Sequence, residues 1–306
     1  MAKSAKNEKS LQKYIPLIII IIVAIVYLVS KNVGDDKAFN PKPVNPNSEN
    51  MLIVHYLDVG QGDCEFIELP DGRCLLIDAG ESDYSDTVIK TIRDLGYDKI
   101  DCIIGTHPHS DHIGGLKNVI DSFDVGEIYM PRASNDTYSF EKLLRKISEK
   151  GLKITAAEAG KTVLESDEYT MKLLAPNSTY YEDLNNYSAV LKLEYNGFSF
   201  LFTGDAERLS ESEMLENFGD ELDCDVLKVG HHGSRYSSSA EFLSAVSPSY
   251  AIISCAKDNS YGHPHEEALN RLYGVGAQVL RTDQLGSITV CCDGEGGFDV
   301  AYEMDS

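Results

Sequence analysis

The sequence lacks the paired cysteines that mark a structural zinc site or a disulfide scaffold. Its seven cysteines are scattered over 306 residues, and none of them forms a CxxC pair. Zinc ribbons and disulfide-rich domains show regular, paired cysteine spacings. Several cysteines lie inside apolar runs such as GRCLLID, where a free cysteine acts as a small core residue. We therefore predict that the cysteines are structural.

Basic residues are also scarce outside the N-terminal part. The chain has 27 Lys and Arg against 49 Asp and Glu, a formal net charge of −22. Residues 1–50 contain 7 of the basic and 4 of the acidic side chains, so the acidic excess lies in residues 51–306. A field of this sign repels long polyanions such as DNA unless metal ions or a basic patch offset it. This charge counts against a nucleic-acid substrate without excluding one.

One long apolar run stands near the N-terminus. Residues 15–29 carry no charge and follow Lys3, Lys6, Lys9 and Lys13, which should keep the N-terminus in the cytoplasm. No small-x-small cleavage pattern follows the run, which favours a single-pass anchor over a cleaved signal peptide. A buried core helix is the other alternative, and an Ile-rich run with lysines on one side is unusual for it. Cleavage would make the protein secreted. We predict a cytoplasmic basic segment at 1–13, a transmembrane signal anchor at 14–30, a linker rich in Asn and Pro at 31–50, and an extracytoplasmic folded domain at 51–306.

From residue 51 onward, strand and helix patterns alternate in two halves of similar size. Runs such as LIVHYLDV and CEFIEL have the composition of short strands. Helical periodicity follows at about 84–95 and again at about 139–150. Two halves of this kind predict an α/β fold in which two sheets pack face to face with helices outside, a four-layer αββα sandwich.

Histidine is rare, and its clustering is therefore informative. Seven of the eight histidines fall in three short clusters that each follow a strand-like run, and His55 is the exception. In THPHSDHIGG, residues 106–115, His107 and His109 can face one ion across the turn at Pro108. Asp111 and His112 can serve a second ion beside it. Four potential ligands within six residues predict a metal site of the two-metal hydrolase type.

This segment resembles the HxHxDH motif of the metallo-β-lactamase superfamily. Together with LDVGQGDC, LLIDAG, FTGDAE, LKVGHHGSRYSSS and NSYGHPH, it occurs in the order seen in the C-terminal hydrolase domain of ComEC-type competence proteins. The resemblance covers nearly all of residues 51–306. It does not include the multi-span channel region of that family, so we expect a stand-alone, membrane-anchored relative.

The resemblance also implies roles for individual residues. His107 and His109 would bind a first metal, Asp111 and His112 a second, and Asp205 would bridge the two. His231 would be the last ligand of the second metal, while His232 would face substrate or a carboxylate. His263 would approach the metals or the leaving group, so the implied catalytic residues are Asp111, His232 and His263.

Several further residues are expected to support the site. Asp78 should orient a ligand histidine by accepting its second N–H, and Asp63 should lie in a turn beneath the metals. Ser234 could bind phosphate oxygens or cap the helix that follows. The alternative for Asp78 and for His263 is an ordinary turn residue.

One interval departs from the usual pattern of the superfamily. Most of its hydrolases supply a further histidine to the first metal, but residues 113–204 contain none. Asn186 or Ser188 stands near the position concerned. A site with less nitrogen and more oxygen shifts the preference from Zn²⁺ toward Mn²⁺. We expect two divalent ions, Zn²⁺ or Mn²⁺, and no three-histidine lactamase site.

These features predict metal-assisted hydrolysis of a phosphodiester outside the membrane, either in DNA or in a cell-wall polymer. Two alternatives remain open. The domain could be a non-catalytic partner of a DNA-uptake system, or it could hydrolyse β-lactams or other esters. The sequence indicates no protein partner.

Overall fold

The computed structural model describes Lys42, Asn45 and residues 50–303. The predicted transmembrane segment, the basic segment before it and most of the linker lie outside these residues. Within the described part, no helix is both long enough and apolar enough to cross a bilayer.

The first sheet of the described chain has eight strands in the order β15-β14-β1-β2-β3-β4-β5-β6. Pairing is antiparallel from β15 to β3 and parallel from β3 to β6. The strands are β1 (Leu52–Tyr56), β2 (Glu65–Glu68), β3 (Cys74–Ile77), β4 (Lys99–Ile104), β5 (Asp124–Met130), β6 (Ile154–Ala156), β14 (Ile288–Cys292) and β15 (Phe298–Tyr302).

The second sheet has seven described strands in the order β13-β12-β11-β10-β9-β8-β7. Here β7 to β10 pair antiparallel and β10 to β13 pair parallel. The strands are β7 (Thr162–Glu165), β8 (Tyr169–Ala175), β9 (Val190–Tyr195), β10 (Phe198–Phe202), β11 (Val226–Lys228), β12 (Tyr250–Ile253) and β13 (Gln278–Arg281).

Helices connect the parallel strands, and one further short helix lies between β13 of the second sheet and β14 of the first. They are α1 (Ser85–Asp94), α2 (Ser110–Ile113), α3 (Leu116–Ser122), α4 (Tyr138–Glu149), α5 (Arg208–Phe218), α6 (Ala240–Val246), α7 (Glu266–Gly274) and α8 (Thr282–Leu285). The apolar faces of the helices pack against the outer faces of the sheets. This packing forms two separate hydrophobic cores, one for each sheet. In the first core, Val88 of α1 and Leu143 of α4 pack in the same cluster as Leu76 of β3.

The inner faces of the two sheets lie against each other. Tyr56 of β1 stacks on Phe202 of β10 with ring centroids 6.1 Å apart, and neither side chain is appreciably exposed. Because strand side chains alternate between faces, Leu201 points the other way, into the core beneath α5 and α6. Helices outside and two sheets inside give the two-sheet α/β architecture that the alternating halves of the sequence predicted.

Two strands, β6 and β7, were missed by the sequence patterns. Both lie at the edge of a sheet, and their side chains are mostly exposed or half-buried, with Ile154 39% exposed. An edge strand without a buried face shows no alternation of apolar and polar residues. Backbone pairing to a neighbouring strand therefore defines these two elements.

The seven cysteines are all free, and Cys291 is the one that is not buried. Burial raises the pKa of the thiols, for Cys255 to about 12. The thiols are therefore protonated and poorly nucleophilic at neutral pH, as structural residues should be.

Candidate metal centre

The histidine clusters meet where parallel strands of both sheets end. His107, His109, Asp111 and His112 follow β4, Asp205 follows β10, and His232 follows β11. Gly62 and Gly115 allow close approach of the chain here, since a Cβ on Gly62 would lie 2.3 Å from the carbonyl oxygen of Asp111. The site thus draws its residues from both halves of the fold.

Asp205 lies at the centre of the constellation and is almost fully buried. Its Oδ2 lies 3.7 Å from Nε2 of His107, and its Oδ1 lies 3.2 Å from Nε2 of His112. Two groups of potential ligands share this carboxylate, and within each group the ligand atoms lie within 4.8 Å of one another. Group 1 contains His107, His109 and Asp205, and group 2 contains Asp111, His112, Asp205 and His232.

Three buried atoms of group 2 have no hydrogen-bond partner in the described part of the chain, which indicates that the group can bind a cation. Nε2 of His112, Nε2 of His232 and Oδ1 of Asp205 are buried and make no hydrogen bond with any described residue. Buried polar atoms without partners are costly. Imidazole nitrogens and carboxylate oxygens that converge in this way are ligands for divalent metal ions, so the residues present fit the group that the sequence predicted.

Both neighbouring histidines approach Asp205, His231 with Nε2 3.6 Å from Oδ2 and His232 with Nε2 3.6 Å from Oδ1. The sequence assigned the ligand position to His231, but His232 lies in group 2, with Nε2 3.4 Å from Asp111 Oδ2. His231 instead places Nδ1 3.2 Å from Glu207 Oε1 and lies at the pocket. Both residues have positive φ, 50° and 53°. This left-handed turn, which nothing in GHHG specifies, decides which ring points inward.

Asp78 lies behind His112. Its Oδ2 accepts a hydrogen bond from Nδ1 of His112 at 2.7 Å and another from the hydroxyl of Thr106 at 2.5 Å, and its Oδ1 accepts from the backbone N–H of Thr106. All three residues are buried. A donor bond from Nδ1 leaves Nε2 of His112 free to face Asp205, which is the orienting arrangement expected of Asp78.

Ser188 and Asn186 occupy different environments. The hydroxyl of Ser188 lies 3.4 Å from Nδ1 of His107 and accepts a hydrogen bond from the backbone N–H of Asp205. Asn186 instead accepts from the backbone N–H of Ser210 in the first turn of α5, away from the ligands. Of the two candidates for the missing histidine, the structure brings only Ser188 to group 1.

The open side of the centre is a pocket of about 300 Å³. His263 lines it with its ring centroid 5.3 Å from that of His231, and burial and then His232 lower the pKa of His263 to about 4. His263 is therefore uncharged at neutral pH. The other lining residues are Gln61, His109, Ser110, Asp111, Asn135, Thr137, Asn185, Asp205, His231, His232 and Tyr261.

Sequence reasoning missed several of these residues, among them Glu207 and Asn185. Glu207 stands two positions after Asp205 in FTGDAE. This short spacing is the feature of the sequence that could have indicated that Glu207 lies beside the site. The amide of Asn185 lies 3.4 Å from Glu207 Oε1, so both residues surround His231. Polar residues in loops carry no periodicity that would identify them.

The hydroxyls of Ser234 and Ser239 make hydrogen bonds to the backbone. The buried hydroxyl of Ser234 accepts from the N–H of Tyr236 and so closes a turn before the helix. Ser239 is the residue that caps α6, because its hydroxyl accepts from the N–H of Phe242 in the first turn. The carboxylate of Glu211 accepts from the N–H groups of Ser238 and Ser239.

The charges of the site are strongly coupled. Burial disfavours the charged form of His232, but the carboxylates of Asp205 and Asp63 outweigh burial and raise its pKa to about 10. Burial and then His112 hold the pKa of His107 well below its usual range. Burial would raise the pKa of Asp205, but His112, His231 and His232 keep it well below the usual value. The metal-free site is therefore a mixture of imidazolium and carboxylate groups.

This protonation has a measurable consequence for metal binding. A cation binds neutral imidazole, and the carboxylates of the site raise the pKa of His112 as well as that of His232 against the effect of burial, so a cation must displace a proton from each ring. We expect Mn²⁺ affinity to rise as the pH increases from about 7 to about 9, with about two protons released per ion bound to group 2, one from each histidine. Calorimetric titration in buffers of different ionisation enthalpy measures this number. An affinity independent of pH would show that both rings are already neutral.

Comparison with known proteins agrees with the geometry. Residues 57–257 match the model of the metallo-β-lactamase superfamily. The solved structure of CmlA, a diiron β-hydroxylase from Streptomyces venezuelae, aligns with a TM-score of 0.50 at 15% identity, covering 78% of this chain and 53% of that chain. At this identity the alignment shows a shared fold alone.

Relatives with higher identity carry names from competence. ComE operon protein 3 of Bacillus subtilis is 34% identical over 252 residues, covering 77% of this chain and 32% of that protein. Competence protein ComA of Neisseria gonorrhoeae is 31% identical, covering 78% and 32%. The chain thus spans about a third of the length of these relatives. With the family model matching most of its length and the ligand groups in place, the chain belongs to the metallo-β-lactamase superfamily, as a ComEC-like hydrolase.

Proposed function

We propose that this protein is a metal-dependent phosphodiesterase. The observation that supports it best is the shared carboxylate of Asp205, which joins two ligand groups at the floor of an open pocket. Paired cation sites with one bridging ligand suit phosphate esters, because two positive charges can clamp one phosphoryl group. Group 1 would hold one divalent ion and group 2 the other. Bound there, such ions supply a nucleophilic water at neutral pH and neutralise charge on the phosphoryl oxygens.

Two histidines at the pocket would carry out the proton transfer and line the leaving-group side. His231 lies at the pocket, with Nδ1 3.2 Å from Glu207 Oε1 and Nε2 3.6 Å from Asp205 Oδ2. Burial lowers its pKa, but Asp205 and Glu207 outweigh burial and raise it, so His231 can hold a proton near neutral pH. It would donate that proton to the leaving oxygen of the ester. The uncharged ring of His263 would line the leaving-group side.

Metal choice follows from the composition of group 1. This group offers two imidazoles and one carboxylate, and the Ser188 hydroxyl lies beside Nδ1 of His107, whereas Nε2 of that ring faces Asp205. With two imidazoles in place of the usual three, more coordination positions are left to oxygen ligands, which shifts the preference from Zn²⁺ toward Mn²⁺. We therefore propose that Mn²⁺ supports hydrolysis at least as well as Zn²⁺.

The substrate proposal concerns polymers outside the membrane. The competence names of the relatives favour DNA, while the acidic composition of the chain favours a cell-wall phosphodiester. The predicted N-terminal anchor would place the catalytic domain at the outer face of the membrane. Hydrolysis of single-stranded DNA compared with that of choline-bearing teichoic acid, at equal phosphodiester concentration, decides between the two.

The activity itself is tested with bis(p-nitrophenyl) phosphate and added Mn²⁺ or Zn²⁺. We expect turnover by the wild type and a loss of about 100-fold to 1,000-fold in Asp111→Ala, which removes a carboxylate of group 2. Asp124→Ala changes an exposed aspartate at the start of β5 and should retain the full rate. Equal rates for the wild type and Asp111→Ala would refute the enzyme proposal and favour an accessory role in DNA uptake. Nitrocefin turnover would instead indicate a β-lactam hydrolase.

A further inference from the structure

A lysine is buried between the two sheets directly behind the metal centre. Lys228, the last residue of β11, has no exposed surface, and its Nζ donates a hydrogen bond to Asp63 Oδ2 at 2.7 Å. Asp63 precedes β2 in the other sheet and is also buried. A buried ion pair is expensive in desolvation and adds little to stability by itself. Its presence here requires another explanation.

The carboxylate of Asp63 also faces a residue of group 2. Its Oδ1 lies 3.2 Å from Nδ1 of His232, and the carbonyl oxygen of Ser254 lies 3.0 Å from the same nitrogen. The hydrogen bond from Nδ1 goes to the carbonyl oxygen of Ser254, and Asp63 Oδ1 lies beside the same nitrogen as a charged contact that makes no hydrogen bond of its own with any residue that the structure describes. This arrangement leaves Nε2, which points at Asp205 and Asp111, as the nitrogen available to a cation.

Two buried carboxyl groups stand near Lys228, and it bonds to one of them. Glu65 is fully buried, and neither of its carboxyl oxygens makes a hydrogen bond with a described residue. Lys228 instead donates to Oδ2 of Asp63, the carboxylate whose other oxygen faces His232. The charge of Lys228 therefore lies on the carboxylate that contacts group 2.

We propose that Lys228 is a positioning residue for the metal centre: through Asp63 it holds the imidazole of His232 in the orientation that group 2 requires. Lys228 ends a strand of the second sheet, and Asp63 precedes a strand of the first sheet. Their ion pair therefore also fixes His232, which follows β11, against the half of the fold that contains Asp63. This inference rests on the proposed metal site. It assigns to Lys228 a role at group 2 and none at group 1.

Mn²⁺ binding to the full-length protein tests the role without using catalysis. In Lys228→Met, which keeps the volume of the side chain and removes its charge, we expect the second Mn²⁺ to bind 10-fold to 100-fold more weakly and the first to bind as in the wild type. Equilibrium dialysis with Mn²⁺ detected by electron paramagnetic resonance resolves the two steps. Lys192→Met is the matched control, because Lys192 is also buried but donates to the backbone carbonyl of Asp223.

The variant could fail to fold, because it leaves Asp63 buried without its cation. The double variant Asp63→Asn with Lys228→Met removes both charges and should fold. If the pair acts as one unit, this double variant loses second-site affinity to the same extent as Asp63→Asn alone.

The possible results separate this inference from the proposed function. A folded Lys228→Met protein that binds both ions with wild-type affinity would overturn the positioning role, as would equal weakening of both sites. Absence of Mn²⁺ binding by the wild type would instead refute the metal site itself.

Discussion

Replacing Asp205 with asparagine should remove most of the bound metal and lower phosphodiester hydrolysis by about 1,000-fold. Asp205 is the residue that groups 1 and 2 share, so one substitution weakens both. An amide keeps the volume of the side chain but loses the negative charge that faces His107, His112, His231 and His232. Elemental analysis after dialysis gives the metal content, and the hydrolysis of bis(p-nitrophenyl) phosphate gives the rate.

Asp299→Asn is a matched control for this experiment. Asp299 is exposed on β15 at the edge of the first sheet, where its carboxylate accepts a hydrogen bond from the N–H of Val300. The same chemical change there should alter neither metal content nor rate. Retention of both ions by Asp205→Asn would show that the two groups do not depend on a shared carboxylate.

Replacing Gly62 with alanine should lower the hydrolysis rate by about 100-fold through displacement of the metal loop. The added Cβ would lie 2.3 Å from the carbonyl oxygen of Asp111, far inside van der Waals contact. That oxygen also accepts a hydrogen bond from the N–H of Asp63. The backbone at Asp111 must therefore move, and a shift of about 1 Å in a positioning group is enough for an effect of this size.

We also expect Gly62→Ala to lower the free energy of unfolding by about 1 to 3 kcal/mol, the usual cost of overpacking. Thermal unfolding in a chelating buffer measures this without a contribution from bound metal. Gly274→Ala is the control, because a Cβ at the end of α7 meets nothing within 4 Å. Wild-type kinetics in Gly62→Ala would mean that the loop tolerates the displacement and that its close packing is not needed.

The residues that spacing alone singled out are those whose geometry is local, whereas Asp205 was predicted from the family resemblance. His107, His109, Asp111 and His112 lie within six positions at the end of one strand, so their convergence depends on a single turn. Strand and helix periodicity likewise reports burial along one element, which is why the two sheets and their helices could be predicted.

Residues whose role depends on the packing of distant elements could not be located in this way. The directions of the His231 and His232 rings depend on a left-handed turn after β11. The sequence predicted His231 as the ligand of the second metal, and the structure groups His232 with Asp111, His112 and Asp205. Lys228 looks like an exposed charge in DVLKVGH until the second sheet is docked onto the first. When the contact partner of a side chain lies in another sheet, the local sequence pattern around that side chain does not indicate the contact.

The placement of the ligands on both halves of the chain has a consequence for folding. Group 2 combines His112, which follows β4, with Asp205 and His232, which follow β10 and β11. A cation held there would close a chain loop of roughly a hundred residues and would act as a reversible cross-link on the unfolded ensemble. Metal binding and docking of the halves would then be linked equilibria, so a higher metal concentration would raise the free energy of unfolding.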